Sequence, residues 1–140
     1  MKRIRWNDGW KFWADGNAFS LVRNVPEQAE DVTLPHDAMI GQRPYAESPN
    51  RGATGYRDGG NYTYVKFLDV AAEDAGRRTV LKLDGAYCHA TVYVNGQSAA
   101  SEANGYTAFY ADLTPFLREG RFFVGRNHNI SDETPFLFLL

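Results

Sequence analysis

Ala90-Thr91-Val92-Tyr93-Val94-Asn95-Gly96-Gln97 is the stretch that decides how this chain folds. Ala90, Val92 and Val94 alternate with Thr91 and Tyr93, the period of two that puts successive side chains on opposite faces of a strand. Asn95-Gly96 follows with two residues that tolerate positive φ, as a type I′ turn requires. The spacing therefore predicts a β-hairpin, with Cys88 to Val94 as the outgoing strand and Gln97 to Ala100 as the return. Working outward, the same alternation recurs. From Asn61 onward, Tyr62, Tyr64, Lys66 and Leu68 face one way, and Thr63, Val65, Phe67 and Asp69 the other. Thr79 to Asp84 reads as the next strand, and the turn Asp84-Gly85 leads on to Cys88.

Nearer the start, Trp10 to Ala14 is an aromatic strand reached through the turn-prone Asn7-Asp8-Gly9. Asp31 to Leu34 is a short strand stopped by Pro35. Beyond the hairpin, Gly105 to Ala111 reads as a strand with Tyr106, Ala108 and Tyr110 on one face. Thr114 then caps a short turn with Pro115 at its first position and Phe116-Leu117 packing inward. Glu119-Gly120 ends that turn, and Phe122 to Val124 starts a last strand. From His36 to about Gly60 runs a long loop rich in Gly, Pro, Asn and Ser, with no convincing element of its own; loops of that length are more often functional than structural. Many short strands with almost no helical period predict an all-β antiparallel sandwich in one domain, residues 1–140.

The totals agree with a packed core. The chain has 140 residues, 44% hydrophobic and 14% aromatic, which excludes a disordered composition. Its 15 basic and 17 acidic residues give a net charge of −2, and the Lys and Arg are scattered, so no nucleic-acid footprint exists. Cys88 is the only cysteine, which rules out an internal disulfide and a cysteine metal site. Basic residues open the chain without an apolar stretch behind them, and no window reaches the roughly 18 apolar residues of a membrane helix. A cytoplasmic protein with no membrane partner and no cofactor is expected.

Several ordered motifs resemble the N-terminal sugar-binding domain of family 2 glycoside hydrolases, the β-galactosidases, β-glucuronidases and β-mannosidases. Asn7-Asp8-Gly9-Trp10-Lys11-Phe12 is similar to that family's opening N-x-G-W-x-F, and Val32-Thr33-Leu34-Pro35-His36-Asp37 to its V-x-L-P-H-D. Gly52-Ala53-Thr54-Gly55-Tyr56 and Gly59-Gly60-Asn61-Tyr62 resemble the stretch before its long strand. Leu83-Asp84-Gly85-Ala86, with Ala90 to Gly96, matches F-D-G-V…A-x-V-Y-V-N-G. Gly105-Tyr106-Thr107-Ala108-Phe109, with Asp112-Leu113-Thr114 and Leu117, matches G-Y-T-x-F…D-L-T-x-x-L. The set runs from about residue 7 to residue 124. Asn61 and Ala38 depart from it, standing where the family usually or often has Trp, and Arg121 to Asn129 follows the family's next strand only loosely.

The resemblance implies a jelly-roll-like, galactose-binding-domain-like sandwich. It also implies a fragment or truncated gene product lacking its final strand, since relatives continue past Leu140 into an immunoglobulin-like domain and a (β/α)₈ barrel. Retaining hydrolysis of β-glycosides needs two carboxyl groups about 5–5.5 Å apart, and in the family both are barrel Glu residues. None of the seven Glu here (27, 30, 47, 73, 102, 119 and 133) sits in a motif for either role, so no catalytic residue is expected. The expected partners are the catalytic barrel and a β-linked carbohydrate.

In the family, loop residues of this domain can join the sugar site, which makes Tyr45, Asn50, Arg51 and Tyr56 the candidates. Asn donates and accepts, Arg offers a fork of donors to a hydroxyl or carboxylate, and tyrosine rings can stack on a pyranose. Each has a plainer role open to it, namely satisfying loop backbone or packing the loop onto the sandwich. Pro35-His36-Asp37 reads as a turn with Asp37 accepting backbone N–H bonds rather than as part of a triad, because no suitable Ser motif accompanies it. His89 faces away from Ala90 and Val92, and with His128 it makes no metal-ligand spacing. Trp6, Trp10 and Trp13 read as packing rather than as a sugar platform. Two other functions stay open: an autonomous carbohydrate-binding module, and an interaction scaffold whose open sheet edge and apolar Phe136 to Leu140 tail drive homo-oligomer formation.

Overall fold

The computed structural model describes residues 2–14, 25–87, 89–117 and 120–130, with residues 121–130 described by backbone alone. Expectations that fall on Cys88, Glu119, Glu133 and the Phe136 to Leu140 tail lie outside the described residues. Among the described residues, eight strands follow in order: β1 Trp10–Ala14, β2 Glu30–Val32, β3 Gly60–Val70, β4 Val80–Leu83, β5 Ala90–Val94, β6 Gln97–Glu102, β7 Phe109–Asp112 and β8 Gly120–Ile130. All pairings are antiparallel, and they form one sheet of order β2-β1-β3-β8-β5-β6 and a second of order β4-β7. Among the described residues there is no α-helix, only short 3-10 turns such as Arg51–Thr54 and Thr114–Phe116.

The hairpin forms as its residues dictate. Asn95 has φ 48° and Gly96 φ 82°, the signature of the I′ turn. Ala90, Val92 and Val94 are buried while Thr91 and Tyr93 are half-buried. Thr91 stands opposite Ser101, and their hydroxyls lie 3.0 Å apart. His89 is exposed, as its position implies, but its φ of 52° breaks the ladder, so β5 begins at Ala90 rather than at residue 88.

Other strand limits also move. β2 ends at Val32, and the following Leu34-Pro35 bond is cis. β7 begins at Phe109, not Gly105, because Glu102 Oε1 accepts from the Asn104 N–H and Asn104 Oδ1 from the Tyr106 N–H, which curls the chain into turns. The largest difference is β8. The sequence shows a clear strand only over Phe122 to Val124, whereas the chain stays extended for 11 residues between β3 and β5. β3 pairs with it along its whole length and β5 along residues 124–128, and this pairing overrides weak local patterning.

The core has three parts. On the inner face, Ala90, Val92 and Val94 of β5 meet Leu83 of β4 and Phe109 and Ala111 of β7, closed below by Leu113 and Leu117. Where the smaller sheet ends, Trp10 and Phe12 of β1 and Tyr62 and Tyr64 of β3 pack instead under Leu34 and Met39. Trp6 is half-buried and touches both parts, with Lys66 Nζ 4.8 Å above its ring. On the outer face, Trp13 and Val65 pack with Val25, Ala29 and Tyr93. Trp10 and Trp13 are thus core residues, as expected.

Candidate functional site

Phe12, Tyr62 and Tyr64 lie on the end of the inner face that the smaller sheet leaves bare, and the loop of residues 36–59 covers them. Period-two alternation puts Tyr62 and Tyr64 on the same face two residues apart, both buried with their hydroxyls toward the loop. His36 Nδ1 lies 3.0 Å from the Tyr64 hydroxyl. The same imidazole packs on Phe12 at 4.7 Å between centroids. Gln42 Nε2 donates to the Tyr62 hydroxyl at 3.0 Å, leaving Gln42 Oε1 buried without a partner among the described residues. Asp37 ends the strand connection as a turn residue, its Oδ1 accepting from the Met39 N–H at 2.8 Å.

Burial sets the electrostatics here. Desolvation lowers the His36 pKa, opposed by the raising influence of Asp37 and then Glu30. Desolvation also raises the Tyr62 pKa, against the lowering effect of the Gln42 hydrogen bond. Both groups therefore favour their neutral forms.

Further along, the loop closes on itself. Tyr45 N–H donates to the Tyr56 carbonyl (2.8 Å), Tyr56 N–H to Arg51 (2.6 Å), Arg51 N–H to Ser48 (3.1 Å) and Ser48 N–H to Tyr45 (3.2 Å). This circuit of four backbone bonds brings Tyr45, Arg51 and Tyr56 together, with Asn50 one residue away and accepting from Ala53 N–H at 3.0 Å. Arg51–Thr54 forms a 3-10 turn where the sequence showed no element. Arg51 (φ 43°) and Tyr56 (φ 61°) are both left-handed, an unusual state for non-glycine residues that concentrates at functional sites.

The loop is hydrogen-bonded underneath and exposed above. Buried Ser48 and Thr54 both donate their hydroxyls to the Arg57 carbonyl, and Arg57 Nε donates to the Gln42 carbonyl at 3.1 Å. Tyr45 and Tyr56 are 42% and 49% exposed, so neither ring is used up by packing on the sandwich. Arg51 is exposed and Asn50 half-buried. The Tyr45 hydroxyl donates to Asp58 Oδ1 at 2.6 Å, which fixes that ring and raises its pKa. The four candidates thus offer two aromatic faces, an amide and a guanidinium from one braced loop. Sequence reasoning missed the bracing set of Gln42, Ser48, Thr54, Arg57 and Asp58. Only the Tyr62/Tyr64 alternation hinted at it, since two like-facing tyrosines need partners for their hydroxyls.

Comparison with known proteins gives this geometry a context. The family described as "Glycosyl hydrolase 2 galactose-binding domain-like" matches residues 10–130. Beta-galactosidase BoGH2A of Bacteroides ovatus is 31% identical over 118 residues, which is 84% of this chain and 14% of that protein. A solved glycosyl hydrolase family 2 member from Bacteroides cellulosilyticus superposes with a TM-score of 0.82 at 25% identity, covering 96% of this chain and 19% of that one. A calcium-binding mutant of Bacteroides uniformis β-glucuronidase 2 superposes at 0.69 with 25% identity, covering 86% and 14% respectively. The chain spans only a small part of each of these proteins.

Proposed function

Because the chain belongs to the glycosyl hydrolase 2 galactose-binding domain-like family, we propose that it serves as the non-catalytic N-terminal domain of a retaining β-glycosidase. In this reading it abuts a separate catalytic barrel and turns the loop of residues 36–59 toward the bound sugar. The observation that carries it is the backbone circuit through Tyr45, Ser48, Arg51 and Tyr56. It brings two exposed tyrosines and Arg51 together on one loop, the residue types that stacking on a pyranose and bonding to its hydroxyls require. A β-galactosidase parent follows the 31% identity with BoGH2A.

The carboxylates support a non-catalytic role. Glu27, Glu30, Glu47, Glu73 and Glu102 are spread over the turn before β2, β2 itself, the loop, the 3-10 turn after β3 and the end of β6. Glu102 is already engaged by Asn104. Chromogenic β-galactoside and β-glucuronide assays on the purified chain test this. No turnover is expected, and turnover that copurifies with the chain through successive columns contradicts the reading.

A further inference from the structure

We infer that Tyr62 and Tyr64 are positioning residues for the sugar-facing loop, acting through Gln42 and His36 as a two-point latch. The inference deepens the proposed function and rests on it for the loop's role, though not for the latch itself. Adjacent like-facing positions on β3 stand one pleat apart, so two hydroxyls meet the loop at separate places and block both sliding and rotation. Tyr64 holds His36 at the point where the loop leaves β2. Tyr62 accepts from Gln42, six residues further on, and its hydroxyl lies 3.5 Å from the Asp58 carbonyl near the loop's return. One strand residue therefore reaches both stems.

The latch connects directly to the exposed candidates. Gln42 carries the Arg57 guanidinium on its carbonyl, Arg57 takes the Ser48 and Thr54 hydroxyls, and Asp58 holds the Tyr45 hydroxyl. Hydrophobic packing alone does not fix such a loop. Phe12 packs against His36, Tyr62 and Tyr64 whether or not the hydroxyls are present, which leaves orientation to the hydrogen bonds. Tyr-to-Phe substitution separates the two contributions, because it keeps the ring and deletes the latch.

The test is amide hydrogen exchange on the 140-residue chain, comparing Tyr62→Phe, Tyr64→Phe and the double variant with the parent. Loss of one such bond is expected to speed exchange at Tyr45, Ser48, Arg51 and Tyr56 by about tenfold. Ladder amides in β3 and β5 are expected to keep their protection. Gln42→Leu provides the check from the loop side: it leaves β3 intact and is expected to loosen the same amides as Tyr62→Phe. Unchanged loop exchange in all variants, or a parallel rise in loop and ladder, overturns the inference. Sugar titration of the parent chain is read separately, so a domain that binds no sugar but shows the selective loosening sinks the proposed function and leaves the latch standing.

Discussion

Gln42 Nε2 donates to the Tyr62 hydroxyl at 3.0 Å, joining a loop residue to a central strand across 20 positions of sequence. That bond fixes what the exposed part of the loop can do. The backbone that carries Tyr45, Arg51 and Tyr56 is tied through Gln42 and Arg57 to the sheet. The consequences can be tested residue by residue.

Arg51 and Tyr56 are left-handed, a state that costs an ordinary residue roughly 1–2 kcal/mol. Glycine escapes that penalty but adds unfolded-state freedom worth roughly 0.5–1 kcal/mol. Arg51→Gly is therefore expected to leave stability within about 1 kcal/mol of the parent while weakening sugar binding. Paired urea unfolding and sugar titration check this. A loss of stability that matches the loss of binding contradicts it.

Leu113 is 2% exposed and sits where β4, β5 and β7 converge. Leu113→Ala is expected to cost about 2–5 kcal/mol through lost burial and the cavity left behind. The urea midpoint should fall with an unchanged slope. A cost below about 1 kcal/mol would show that the two sheets do not pack through this residue.

Gly105 has no room for a side chain, since an added Cβ would lie 2.6 Å from the Tyr87 Cα and 2.7 Å from its ring. Gly105→Ala is expected to destabilise by about 1–3 kcal/mol. Because the nearest atom is backbone, trimming Tyr87 should not restore the loss. Thermal unfolding of the single and double variants decides the matter.

The His36 imidazole has a pKa lowered from 6.5 by burial. The unfolded chain therefore binds a proton near that value, while the folded chain resists it until lower pH. This group's effect on stability is flat at higher pH and becomes unfavourable as pH falls through about 6.5. Urea midpoints compared between about pH 7.5 and pH 5.5 should fall more steeply in the parent than in His36→Gln. Equal slopes would remove His36 from the balance.

Much of the fold was legible because local chemistry and tertiary demand agreed. Val92 and its alternating neighbours, Asn95-Gly96 and Trp10 to Ala14 each formed as their patterns require. β8 was legible only in part, since its extent comes from β3 and β5 on either side and not from its own alternation. The start of β7 was misread because Tyr106 and Ala108 keep a strand-like spacing, while Asn104 and Glu102 form side-chain turns that periodicity does not register. For the candidate site, the loop of residues 36–59 was visible from its length and composition. Its internal order was not, because Ser48, Thr54 and Arg57 look like any polar loop residues until folding brings them within bonding distance.

Amide chemical-shift mapping of the chain titrated with galactose and glucuronate decides whether the loop of residues 36–59 faces a sugar. Perturbations are expected to be confined to this loop, strongest at Tyr45, Asn50, Arg51 and Tyr56, and lost in Arg51→Gly. Perturbations centred on the exposed Tyr106 and Tyr110 instead, or none at sugar concentrations up to saturation, would contradict it.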